Sequence, residues 1–416
     1  MSQKPVLLVV YDTGSLAPTR IAEAARSNGC DVVFVVPETE HAQEMIVILE
    51  MFGAVVNTVD RTEEDVLRSL RELRPAGILT FGEDQIRTTA RLAEALGLPY
   101  HRTADLDAIT HKDRQRERFA QAGIDSIGFH TVTSAAQADE AIELVGLPAI
   151  IKPVVGASSR NTVAVATAEE CRAALARMFD QDSGGPVETA VMVEELLVGR
   201  PEPRPWGDYI AVDCVAFGDD VRPVFVTSKF ALAEPFRERG GYGGYSVVPK
   251  DEVRAVIDLA CAAVRALRIH GVADVEIKLT AAGPRVIEVN GRLGAWVDDL
   301  AVRSRTGDPA DTAIRAALGR PCETPEISTA GPIAFHYLIV PPTDARRVRA
   351  IGDVGALRRL PNVERVSVLT EPGTEVGWQI GAEANVAAVT GAVATHEELA
   401  ATVAAIESAD WISYEY

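Results

Sequence analysis

The 416-residue sequence contains no apolar run that approaches the ~20 residues a membrane-spanning helix needs. Its longest runs, such as 6–10 and 149–151, are far shorter, so no membrane partner is expected. Met1 leads directly into strand-like sequence without an apolar signal core or a small-residue cleavage site, which makes a cytoplasmic protein the expectation. Cys30, Cys171, Cys214, Cys261 and Cys322 show no CxxC or CxxH spacing. Neither a zinc centre nor a disulfide framework is indicated, and reduced, buried thiols are expected instead. Positive charge is also short, with 41 Lys and Arg against 60 Asp and Glu and a net charge of −19. A general nucleic-acid partner is thereby excluded, because phosphate backbones require a basic face. A local basic pocket for a nucleotide is still compatible with this balance. Two common nucleotide signatures are missing too. The first strand runs into Asp12, Thr13, Gly14 and Ser15 without GxGxxG spacing, and GxxxxGK[ST] is absent.

What is present is a globular composition, 47% hydrophobic and 24% charged, in a chain long enough for two or three domains. Apolar strands at 6–11, 32–36 and 77–80, with a helix at 19–28 ending on Gly29, predict a parallel sheet covered on both faces. From about residue 105 the pattern changes. A charged helix at 112–122 precedes a strand at 129–132, another helix, and an apolar run at 149–152. A helix at 168–179, strands at 190–195 and 209–217, a helix at 251–268 and a hairpin over 273–290 follow. Beyond about 330 lies a smaller α/β unit, with strands near 332–339 and 366–369 and a final helix.

Chemistry concentrates in the hairpin. Glu288 and Asn290 are two apart on a strand and share a face. A turn at 280–284 would set Glu276 opposite Glu288, so that three oxygen donors converge as magnesium, a hard cation, requires. Arg292 extends the same row. The apolar neighbours Val275, Ile277, Val286, Ile287 and Val289 argue for a buried element rather than an exposed polar face closed by a salt bridge. Lys152 ends a buried strand, and Gly156, Ala157, Ser158 and Ser159 behind it form a small-residue loop able to close over phosphate oxygens. By itself such a loop is equally an ordinary connector. Lys112, on a helix with Arg114, Arg116 and Arg118, reads alone as part of a solvated basic face. Glu194 and Glu195 read alone as the point where a strand meets water.

In their order these segments resemble the ATP-grasp superfamily across nearly the whole chain, most nearly the L-amino acid ligases that make dipeptides and related carboxylate-amine ligases. Lys112 lies eleven residues before Gly123, as the family's first phosphate-contacting lysine lies before the Ala-Gly ending its helix. The segment Gly82, Glu83, Asp84, followed by Ala95 to Pro99, is similar to the end of the family's N-terminal domain. The resemblance implies an α/β fold of ATP-grasp architecture. Its parts would be an N-terminal parallel α/β domain (1–104), a two-lobed ATP-binding module (105–330) and a small C-terminal α/β unit (331–416). The module would have a nucleotide lobe at about 112–195 and a metal-site lobe at about 196–330.

Carried over residue by residue, the resemblance assigns ATP to Lys112, Lys152, Gly156, Ser158, Ser159, Glu194, Glu195 and Leu197. Asp208 is the implied ribose acid, with Glu202 its rival across a Pro-rich insertion at 200–207. Magnesium, with manganese as substitute, falls to Glu276, Glu288 and Asn290, and catalysis to Arg292. The segment 230–249, with Phe236, Arg237, Glu238 and Tyr242, joins Trp296 in shaping an acceptor pocket, and this segment and the 156–161 loop are candidate lids. Asn161 departs from the family's usual glycine, and Asp274 stands where a histidine is frequent. The implied activity is amide formation between small-molecule carboxylate and amine substrates, amino acids above all, through an acyl phosphate with release of ADP and phosphate. A homodimer is compatible with it. The alternatives are a carboxylase-like or purine-pathway ATP-grasp enzyme, and a nucleotide-binding protein without turnover. The complete Glu, Glu, Asn, Arg set argues against the last.

Overall fold

A computed structural model describes residues 4–156, 159–181, 186–322, 327 and 331–416. Four parallel strands open the chain, ordered Ala54–Asn57, Asp31–Val36, Val6–Val10, Pro75–Thr80. Because side chains alternate along a strand, a sheet covered on both sides needs apolar residues at every position. Leu7 and Val9 enter one buried cluster with the helix Pro18–Ser27, and Leu8 and Val10 enter another with Glu63–Glu72 and Ile86–Leu96. A helix from far along the chain, Pro309–Ala317, closes the first of these clusters.

The second sheet is antiparallel, ordered Phe129–Val132, Val191–Glu195, Ala149–Pro153, Val163–Val165. Ala138–Val145 and Ala168–Phe179 cover one face, the latter started by a capping box in which Thr167 and Glu170 satisfy each other's backbone N–H groups. Ala149, Ile151, Val191 and Val193 pack into this core. Alternation therefore turns Ile150, Lys152, Met192 and Glu194 to the opposite face.

The third sheet has eight antiparallel strands. Their order is Gly283–Asn290, Gly271–Thr280, Trp206–Phe217, Asp220–Phe230, Gly240–Gly243, Ile333–Ile339, Ala387–Val393, Val363–Val368. Helix Val253–Ala266 packs against Val275, Ile277, Val286 and Val289, which leaves the hairpin's polar residues on the other face. Three of the strands beyond residue 330 thus continue the sheet that begins with the hairpin. After the last helix, His396–Glu407, the strand Ile412–Glu415 pairs with Arg347–Ile351. Among the described residues no helix is long and apolar enough to cross a membrane.

Packing between the first sheet and Pro309–Ala317 leaves no room at Gly77, where an added Cβ would meet the Ala317 carbonyl oxygen at 2.3 Å. Gly77→Val should therefore cost about 1–3 kcal/mol through forced backbone displacement. Scanning calorimetry checks it: an unchanged unfolding temperature would mean that this contact gives way freely.

Candidate functional site

The polar faces of the second and third sheets line one cavity of about 220 Å³. Helix Lys112–Gln121 joins them. Its Gln115 exchanges hydrogen bonds with the Val289 backbone, and Arg116 donates to the carbonyls of Val286 at 2.7 Å and Ile287 at 2.7 Å. Arg116 also reaches the second sheet, with Nε 2.6 Å from Glu194 Oε2, while Lys152 Nζ lies 3.0 Å from Glu194 Oε1. All three side chains are buried. Burial alone would raise the Glu194 carboxyl, but Lys152 and Arg116 outweigh it and hold it near about 2. Burial pushes the Lys152 ammonium down, and Glu194 offsets this only in part because Arg116 stands beside the same carboxylate.

Lys112 sits at the other side of this bridge. Its Nζ donates to the Gly156 carbonyl at 2.6 Å and lies 3.1 Å from Glu288 Oε2, and its backbone N–H donates to Val154 at 3.0 Å. Residue 156 is thus tethered to the helix that carries Lys112. Across the hairpin Glu276 pairs directly with Glu288, and Asp274 with Asn290. A register shift between Glu276 and Ile277 accommodates one extra residue in the second strand and keeps both acids on the cavity face. Burial pushes Glu276 up to about 8; Lys229 opposes this, while Glu288 and Asp274 add to it. Glu288 goes the other way, because Lys112 and Lys152 more than offset its burial. Among the described residues, no group of three His, Cys, Asp or Glu could hold a metal ion without other donors.

Arg292 leaves the end of the hairpin strand and is fixed from two sides, 3.1 Å from Glu83 of the N-terminal domain and 3.3 Å from Asp274. Asp274 also accepts from Asn290 Nδ2 at 3.2 Å. Its second oxygen, Oδ1, is buried without a hydrogen-bond partner. Beside it on the next strand, Asp213 accepts from the Gly294 N–H at 2.7 Å. Burial and the neighbouring Asp274 carboxylate drive Asp213 well above the usual carboxylate range.

Of the residues named from sequence, Lys112, Lys152, Gly156, Ser159, Glu194, Leu197, Glu276, Glu288, Asn290, Arg292, Phe236, Glu238 and Trp296 all line this cavity. Ser158 lies outside the described residues. Others sit elsewhere. The Glu195 side chain is exposed, since it falls on the alternate position from Glu194. Asp208 pairs with Lys278 at 2.7 Å, and it is Lys278 that lines the cavity; Glu202 pairs with Arg200 at 2.9 Å. Two expectations for the acceptor pocket need correction. Arg237 turns away to donate to the Glu234 and Pro341 carbonyls. Tyr242 is fully buried among Trp206, Phe230 and Tyr337, because Gly240–Gly243 is an interior strand paired on both sides rather than part of a lid.

Sequence reasoning missed Arg116, Asp213 and Lys229. Arg116 was within reach: it lies four residues after Lys112 and so shares its helix face. Asp213 lies on the strand that pairs with the hairpin and Lys229 on the next strand out, and no local pattern reveals either pairing. Lys229 is buried in an ion pair with Glu238 and approaches the Trp296 ring at 5.5 Å.

The Glu194 bridge makes a stability prediction. Its carboxyl lies below its ordinary 4.5, so its contribution is present above that pH and is lost as pH falls toward about 2. Glu194→Gln should cost about 3–5 kcal/mol at neutral pH by leaving two buried cations unanswered, and should flatten the acid-side decline. Urea denaturation between pH 7 and pH 3 checks both. Parallel curves for variant and parent would contradict the assignment.

Residues 110–296 match the model of the phosphoribosylglycinamide synthetase ATP-grasp (A) domain. Mouse carnosine synthase 1 is 24% identical over 311 residues, 70% of this chain but 36% of that protein, so the chain spans about a third of this relative. Phosphoribosylamine–glycine ligase of Halalkalibacterium halodurans is 25% identical over 306 residues, covering 69% of this chain and 67% of the relative. The crystal structure of an L-amino acid ligase from Bacillus licheniformis superposes with a TM-score of 0.75 over 100% of both chains, at 21% identity. Taken with the two lobes around one cavity, these matches show an ATP-grasp domain over residues 110–296 and the ATP-grasp fold for the chain.

Proposed function

We propose that the chain is an ATP-dependent carboxylate-amine ligase acting on amino acids or peptides and releasing ADP and phosphate. The observation that carries this reading is Arg292, a partly buried guanidinium fixed by Glu83 and Asp274 at a cavity wall that also holds Glu276, Glu288 and Asn290. Nucleotide binding alone needs no such cation beside the acidic pair. The relatives named as ligases support the reaction class.

In this reading Lys112 and Lys152 meet the ATP phosphates from the cavity's nucleotide side. The carboxylate oxygen of one substrate attacks the γ-phosphorus and ADP departs; the amine of the other then attacks the acyl carbon, phosphate departs, and the amine loses a proton. Arg292, already oriented, stabilises the oxyanion that grows on the acyl carbon. The donor set at Glu276, Glu288 and Asn290 suits magnesium: two carboxylates, of which Glu288 adds to the proton affinity of Glu276, and an amide whose Nδ2 is occupied by Asp274. Bound there, the cation supplies charge neutralisation to the phosphate oxygens.

The test is ATP turnover over a matrix of amino acids, with products read by mass spectrometry. ADP and an amide product are expected; substrate-dependent AMP would overturn the mechanism. Arg292→Met should leave ATP affinity within a few-fold while turnover falls by roughly a hundredfold or more. Full turnover in that variant would remove Arg292 from its role. Glu276 adds a pH signature. A cation competes with the proton held there, so magnesium affinity measured by calorimetry should rise with pH and level off above about 8. Affinity that is flat from pH 6 to pH 9 would separate Glu276 from the cation.

A further inference from the structure

The residue between Asn290 and Arg292 is held by a group from another part of the chain. His101 follows the N-terminal domain and is buried, and its Nε2 lies 2.7 Å from the Gly291 carbonyl oxygen. Its other ring nitrogen, Nδ1, accepts from the His270 N–H at 3.3 Å. Because Nδ1 is an acceptor, the ring proton belongs on Nε2, and the bond to Gly291 is a donated one. His270 immediately precedes the strand Gly271–Thr280 that carries Asp274 and Glu276. One imidazole therefore spans the entry to the first strand of the hairpin and the exit from the second.

The exit turn has no slack on that side. A Cβ added to Gly291 would meet Ile109 Cγ2 at 2.7 Å and His101 Nε2 at 3.0 Å. Residues before and after a fixed peptide carbonyl inherit their direction from it, and here those residues are Asn290 and Arg292. Glu83 and Asp274 hold the far end of the Arg292 side chain, but neither sets its backbone. Tyr100 packs against the imidazole at a tilt of 40° with ring centroids 4.2 Å apart, which limits its rotation.

We propose that His101 is a positioning residue of the ligase reaction, donating from Nε2 to the Gly291 carbonyl and thereby aiming Arg292 and Asn290 into the cavity. This rests on the ligase reading above. It assigns His101 no contact with substrate, so its loss lowers turnover more than it weakens nucleotide binding.

Three variants test it. In His101→Gln the amide nitrogen falls near the place of Nε2 and keeps a donor for Gly291. In His101→Leu the donor is lost. His101→Asn stays polar but is too short to reach Gly291, and it replaces the leucine variant if that one does not fold. Expected results are a fall in kcat of at least tenfold for Leu and Asn, with KM for ATP within about twofold of the parent. Recovery to within a few-fold of the parent is expected for Gln. Thermal midpoints are recorded alongside to separate folding from rate. Parental kcat in Leu or Asn overturns the proposal, as does an equal loss in all three variants with KM rising in step. If the parent turns over no amino-acid pair, the ligase reading fails by itself. The same kcat and KM comparison is then made on substrate-independent ATP hydrolysis, where the same pattern supports the role of His101 and its absence refutes it.

Discussion

Charge removed from water must be answered by charge, and the cavity wall is arranged around that requirement. Glu194 is shared by Lys152 and Arg116, Glu288 is met by Lys112, and Arg292 lies between Glu83 and Asp274. Each pair crosses from one element to another, so neutralising the wall also fastens the lobes to the helix Lys112–Gln121 and to the N-terminal domain. Glu276 is the exception. Lys229, its nearest compensation, is already engaged by Glu238, and the acid's proton affinity stays high. A site that holds one acid under-compensated has a standing preference for an incoming cation.

Much of this was legible because strand alternation is a strict rule. The spacing of Glu288 and Asn290 set them on one face, and the expected pairing of Glu276 with Glu288 is present; it arises from a tip at 281–282 and the extra residue in the second strand, not from the turn expected at 280–284. The parallel opening sheet followed from its uniformly apolar strands. What stayed hidden depended on partners distant in sequence. Gly240–Gly243 carries too little side chain to look like a strand, and becomes one only because Asp220–Phe230 and Ile333–Ile339 flank it. That pairing took Tyr242 into the core. Arg237 was misread for a related reason: its nearest carbonyl acceptors, beyond its own loop, belong to residue 341. Asp213 gave no sign because an acid within Trp206–Phe217 is unremarkable until the neighbouring strand brings Asp274 beside it.

The two covering sheets divide the work differently. The four-stranded sheet closes a core of its own with Ala138–Val145 and Ala168–Phe179, and Glu194 and the Lys112 contacts tie it to the rest. The eight-stranded sheet is continuous from Gly283–Asn290 to Val363–Val368, so three of the strands beyond residue 330 belong to the same hydrogen-bonded sheet as the hairpin.

The bulge beside Glu276 also limits how such a chain changes length over generations. Gaining or losing one residue within Gly283–Asn290 would exchange its two faces, sending Glu288 and Asn290 into the apolar core and valines into the cavity. The single extra residue already present has spent that freedom in one place. An insertion at the tip at 281–282, where both strands have finished their pairing, would leave that arrangement of faces intact.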